Sequence, residues 1–209
     1  MRLKRLFFAV ATVAVLAVLT SCGNSSISGN SISVTLTNNA VTIGMVGTGE
    51  AAVDWGDGKT ETVALSEKWT NFSHSYSGSA KYTITVTGES ITGFGCSDNQ
   101  ISSVDISNYP ALTIFGCYNN EITSLDVSKN TALTELHCHN NQLTSLDLSN
   151  NTALTRMRCF GNQFTADAFN ALFGTLNNNS EDKRITIGDS PAADDADRSI
   201  AESKGWTVN

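Results

Sequence analysis

Proline is nearly absent from this chain, with two residues in 209, and charge is sparse, with 16% of residues charged. The first scarcity excludes a collagen-like or polyproline architecture, and the second, beside 40% hydrophobic residues, excludes a charge-swollen disordered chain. Basic residues are the minority, 13 Lys and Arg against 20 Asp and Glu, and no compact basic patch laced with aromatics offsets them. Phosphate backbones are repelled by such a chain, so nucleic acid is excluded as a partner. Long hydrophobic runs are lacking too. The longest, Leu6 to Leu19, falls short of the roughly 20 residues of a transmembrane helix. What fills the chain is Gly, Asn, Ser and Thr between short apolar stretches, the pattern of many short β elements and not of a helical bundle.

The N-terminus has a basic start (Arg2, Lys4, Arg5), the apolar stretch, and then Thr20-Ser21 before Cys22, the layout of an export leader. Leu19-Thr20-Ser21-Cys22 resembles the bacterial lipobox. The resemblance implies that residues 1–21 are a lipoprotein signal peptide and that Cys22 is the lipid anchor, through a diacylglyceryl group on its thiol. Losing three basic groups takes the formal net charge from −7 to −10. Each buried CH₂ of an acyl chain contributes about 0.8 kcal/mol, so two or three chains hold a folded domain on a bilayer. Residues 22–31 carry no charge and read as a flexible tether.

Residues 32–88 alternate polar and apolar, with Ile32, Val34 and Leu36 early and Tyr82, Ile84 and Val86 late, which predicts half-buried strands. Between them Val53-Asp54-Trp55-Gly56-Asp57-Gly58 predicts a hairpin turn. The set Trp55 to Gly58, His74-Ser75-Tyr76 and Tyr82 to Val86 resembles the PKD family, which implies an immunoglobulin-like β-sandwich. The segment is shorter than the usual domain, so an edge strand is either missing or paired with the next module. Asp54 and Asp57 are expected to accept local backbone N–H groups, and His74 to be a packed, hydrogen-bonded histidine.

Cys96, Cys117, Cys138 and Cys159 recur at intervals of 21 residues, with their surroundings in phase. The third frame, beginning Leu133-Thr-Glu-Leu136-His-Cys138, resembles the leucine-rich repeat, and its variant is similar to short repeats of Bacteroides-type lipoproteins. The resemblance covers residues 89–166 and implies a solenoid of stacked coils. The fold class is therefore mainly β with an α/β solenoid: a PKD-like sandwich, a short leucine-rich-repeat stack, and a helical cap over residues 167–209. In the opening frame Gly93-Phe94-Gly95 replaces polar-Leu-polar, so its strand is expected to fray. Asn99, Asn120, Asn141 and Asn162 are expected to point inward onto turn backbone. Asp105, Asp126 and Asp147 are expected to cap the Ser and Asn backbone that follows.

The four repeat cysteines share one inward position with side-by-side Cβ vectors, so free buried thiols are expected. Strand alternation separates Cys138 from His137 and His139, which face the other side with Glu135. Those three side chains are compatible with a weak divalent-cation site, but polar groups belong on an exposed face in any case, and no metal or cofactor is assigned. The cap should comprise a helix capped by Thr165 with Phe169, Leu172, Phe173 and Leu176 inward, a strand at Ile185-Thr186-Ile187, and a second helix from about Ala193 to Lys204. Acidic Asp194, Asp195 and Asp197 suit that helix's positive end.

The outward positions change down the stack. Tyr118, Glu135, His137, His139, Arg156, Arg158 and Phe160 are residue types that carry binding hot spots, and they form the candidate ligand-binding concave face, expected to span roughly 15 Å over four coils. No nucleophile, carboxylate pair or closed pocket suggests an enzyme. The expectation is a monomeric, lipid-anchored, non-enzymatic recognition protein of the outer membrane, on the cell surface or the periplasmic face, with a protein or glycan partner. The alternative is a structural or accessory subunit of an envelope complex, and a hydrolase ranks last.

Overall fold

A computed structural model describes residues 30–78, 80–179, 182–188 and 191–209. The leader, Cys22 and the tether through residue 29 lie outside the described residues. Eight strands come first: β1 (Ser31–Leu36), β2 (Ala40–Gly47), β3 (Glu50–Asp54), β4 (Thr60–Ala64), β5 (Thr70–Ser75), β6 (Tyr82–Gly88), β7 (Ile91–Gly95) and β8 (Ile101–Asp105). Then follow β9 (Ile114–Gly116), β10 (Glu135–His137), β11 (Arg156–Arg158), α1 (Ala166–Thr175), β12 (Lys183–Thr186), α2 (Pro191–Asp194), α3 (Ser199–Glu202) and β13 (Trp206–Val208). Strict alternation in β1 and β6 buries Ile32, Val34, Leu36, Ile84 and Val86 on one side of a five-stranded sheet, ordered β4-β3-β6-β1-β8.

The second sheet has eight strands, ordered β13-β12-β11-β10-β9-β7-β2-β5. Strand β7 pairs antiparallel with β2 and parallel with β9, so it is where an antiparallel sandwich becomes a parallel stack. The incomplete edges of the short sandwich are paired with the next module: β2 takes β7 and β1 takes β8. Both sheets therefore run through residues 88–89 without a break. The expected fraying of the first frame does not occur, because β7 is held on both sides and its glycines fit under a tryptophan described below. Strands β9, β10 and β11 are three residues long, and successive coils lie in parallel register, 21 residues apart. That is the ladder the leucine-rich-repeat pattern implies, and it makes the chain mainly β with a leucine-rich-repeat-like stack.

One inward row crosses the sheet from Met45 through Phe94, Phe115, Leu136 and Met157 to Ile185. The hairpin expected at Gly56 and Gly58 joins β3 to β4, with φ of +79° and +86° at the two glycines. A Cβ at Gly56 would lie 2.4 Å from the Thr83 carbonyl oxygen, so only glycine fits there. The cap begins as expected, with the Thr165 hydroxyl accepting from Ala168 N–H at 3.1 Å and Phe169, Leu172 and Phe173 buried on α1. Its strand runs Lys183–Thr186 and extends the sheet. The single second helix does not form: α2 and α3 are separate short turns. Asp197 breaks the run, its carboxylate accepting from the N–H and hydroxyl of Ser199 at 3.1 and 2.6 Å.

Candidate functional site

Each coil turns by the same means. The Asn120 amide donates to the carbonyls of Cys96 and Cys117 (both 3.0 Å), and its oxygen accepts from the N–H of Ile101 (2.9 Å) and of Asn99 (3.1 Å). Asn141 and Asn162 repeat the pattern one coil on, reaching Cys117 and Cys138, then Cys138 and Cys159. Asn99 meets the sandwich instead, donating to Thr42 O at 2.7 Å and accepting from Thr42 N–H at 2.9 Å. These residues act as expected, and they hold the strand ends at fixed spacing.

Cys96, Cys117, Cys138 and Cys159 are buried free thiols. Burial pushes Cys96 and Cys138 up to about 12 and the other two well above the ordinary value, so none is a nucleophile at neutral pH. Asp105, Asp126 and Asp147 accept from Ser107, Ser128 and Ser149 N–H at 2.8–2.9 Å. Those backbone bonds lower the pKa of Asp126 and Asp147. Asp54 and Asp57 likewise accept from Gly56 and Lys59 N–H. His74 stacks on Trp55 at 4.9 Å and bonds Asp57 at 2.9 Å, a contact that lowers the Asp57 pKa.

The outward rows follow from the register. One runs Gly44, Gly95, Gly116, His137, Arg158, Thr186, and the next runs Val46, Gly93, Ile114, Glu135, Arg156, Arg184. The exposed face is wider than four coils, since eight strands at about 4.8 Å each span about 34 Å. Glu135 lies 3.6 Å from His137 and 3.4 Å from Arg156. Burial first, then Arg158, lowers the His137 pKa. The imidazole–carboxylate pair is thus flanked by Arg156 and Arg158, and no group of three or more His, Cys, Asp or Glu is placed to hold a metal among the described residues.

Tyr118, His139 and Phe160 form a column. The His139 ring lies between Tyr118 (4.6 Å) and Phe160 (4.5 Å), so both its faces are used inside the column. Its Nδ1 is buried without a hydrogen-bond partner, and burial, then His137, pushes its pKa down to about 4. The imidazole is held neutral as an aromatic spacer.

Sequence reasoning missed three features. Trp69, 46% exposed, lies over the glycines of β2 and β7. The signal for it was the run of glycines where other coils carry side chains. A second amide ladder joins Asn130 to Ile106 and Tyr109 carbonyls and Asn151 to Val127 and Asn130 carbonyls, and its 21-residue spacing was visible. Arg184 joins the outward row through β12, which no periodicity marks because the cap departs from the repeat.

No protein-family model matches the chain, and no curated protein matches it. Two solved structures from Listeria monocytogenes are similar in part. One is the functional domain of InlJ, described as including a cysteine ladder, at 27% identity and a TM-score of 0.35 over 46% of this chain and 25% of that one. The other is an internalin, InlF, at 17% identity and a TM-score of 0.41 over 56% and 33%. This chain thus spans a quarter to a third of the length of those two proteins.

Proposed function

We propose that the chain is a non-enzymatic recognition protein of a bacterial envelope, anchored by lipid on Cys22 and binding a partner through the outward face of its long sheet. In this reading the PKD-like sandwich is a spacer and the first wall of the platform. One observation carries it: inward positions repeat down the stack while outward ones do not. Cys96, Cys117, Cys138 and Cys159 are identical and buried, whereas Gly116, His137 and Arg158 share a row with nothing in common. Packing alone gives no reason to gather Tyr, Arg and His on the solvent side. Crosslinking from living cells, with the anchored protein as bait, is expected to capture a partner that is lost when Tyr118, Arg156 and Arg158 are replaced by Ala. Equal capture by that variant contradicts the reading. A partner that co-purifies in fixed ratio without crosslinking favours an accessory subunit instead.

A further inference from the structure

Trp69 is the exposed large hydrophobic side chain among the described residues, and it precedes β5, outside the repeat. Its six-membered ring sits in a depression left by three missing side chains. A Cβ at Gly44 would lie 3.2 Å from Cε3, one at Gly93 3.4 Å from Cη2, and one at Gly95 3.4 Å from Cζ3. Those glycines explain why the indole fits, but not why almost half of it faces solvent. The next glycine in the same row, Gly116, is uncovered: a Cβ there meets only Ser97 Oγ, at 3.7 Å. Across the strands this dimple is bordered by the Trp69 shelf on Gly95 and by His137. Along the chain it is bordered by Ile114, two residues back on the same side of the strand, and by Tyr118, two residues past the strand's end.

Charge is uneven beyond the dimple. Arg156 pairs with Glu135 and Arg184 with Asp182, while Arg158, one strand past His137, has no carboxylate within 4.0 Å among the described residues. An acidic protein therefore presents, in the same outward row, a guanidinium without a carboxylate partner three strands, about 14 Å, from the Trp69 shelf. Screening limits the reach of its net negative charge to about 8 Å at physiological salt, so the nearest groups decide what can dock.

We propose that the dimple over Gly116 is a subsite for one sugar ring of a uronate-containing polysaccharide. The ring's C–H face packs on Trp69 and Ile114, its hydroxyls meet Tyr118 and His137, and its carboxylate pairs with Arg158. This rests on the recognition reading above and names its ligand class. A ring's C–H hydrogens suit the negative face of an aromatic system, and the guanidinium gives the carboxylate a charge-assisted, two-pronged partner. Gly116 and Arg158 are two strands apart, about 10 Å, which a pyranose and an extended arginine bridge. An acidic peptide fits less well. Strands β7, β9 and β10 are hydrogen-bonded on both sides, so no extended peptide can add to this face through its backbone.

The test is calorimetric titration of the complete chain with polygalacturonate, alginate and hyaluronate, beside neutral dextran and polyglutamate. At least one uronate polymer is expected to bind, and to bind more weakly as salt rises, with dextran and polyglutamate silent. Trp69→Ala and Arg158→Ala should each weaken that binding about tenfold with unchanged circular dichroism. Silence from all three uronate polymers, equal binding of dextran, or full binding by Trp69→Ala overturns the proposal. Polyglutamate binding as tightly as the uronates also overturns it, while leaving the recognition reading intact, because that reading is decided separately by capture from cells.

Discussion

Between Ser31 and Asp105 the strands run five to eight residues and satisfy their backbone against neighbouring strands, whereas from Ile114 to Arg158 each strand has three residues and side chains do much of that work. In the sandwich the distinctive contacts are aromatic: Trp55 on His74, and Tyr76 on Tyr82 at 3.8 Å, with the Tyr76 hydroxyl on Trp55 O. In the stack the repeating contacts are amides and thiols, and the aromatic column of Tyr118, His139 and Phe160 lies on its outward side. A coil that turns every few residues leaves N–H and C=O groups pointing inward, and a buried group without a partner costs about 1–3 kcal/mol. Asn satisfies both kinds at once, having an acceptor and two donors, and that is why the stack must repeat its sequence while the sandwich need not. At the seam the two solutions interlock. Tyr109 occupies the position of Asn130 and Asn151 but faces the sandwich, donating to Gly88 O at 2.7 Å and Asn30 O at 2.9 Å.

Alkali has the largest expected effect, because it acts on the thiols of the stack. Cys96 and Cys138 stay neutral in the fold up to about pH 12, and burial raises Cys117 and Cys159 well above the ordinary value, whereas all four ionise near 9 when unfolded. The unfolded chain then binds fewer protons, so stability is present below about pH 9 and falls as pH rises toward 12. Four such groups give a slope of about 5 kcal/mol per pH unit. Urea titrations across that window check it, and Cys138→Ala should reduce the slope by about a quarter.

That interval of 21 residues was legible from the cysteines alone, and with it the parallel stack, the inward amides and the buried thiols. Legibility failed where long-range packing decides. Gly93 and Gly95 looked like a weak strand because their missing side chains are supplied by Trp69, more than twenty residues earlier. The His139 ring looked available to a ligand because nothing in one strand's sequence shows that Tyr118 and Phe160 stack on it from the strands beside it. Buried Lys183 was equally silent: its ammonium is held by the carbonyls of Asn179 and Lys204 at 2.6 and 2.7 Å, partners that exist only once the cap has folded.

Next in size is Asn141→Ala, which strands the Ile122 N–H in the interior and leaves the Cys117 and Cys138 carbonyls with one amide donor each, from Asn120 and Asn162, for a loss of about 3 kcal/mol by urea unfolding. Tyr109→Phe keeps the ring and removes only the hydroxyl at the seam, for about 1–2 kcal/mol by the same measurement. The smallest effect is acidic. His139 is kept neutral in the fold, so its contribution is present above its ordinary pKa of 6.5 and is lost as pH falls toward about 4. His139→Phe should flatten the melting temperature between those values, and an unchanged profile would detach the column from the acid response.

Sandwich and stack share both sheets and so fold as one unit. Pulse hydrogen exchange read peptide by peptide along a urea series tests it directly, comparing β1 and β6 with the coils around Leu136 and Met157. One common midpoint is predicted. Two separated midpoints, with the coils opening while β1 and β6 stay protected, would contradict it.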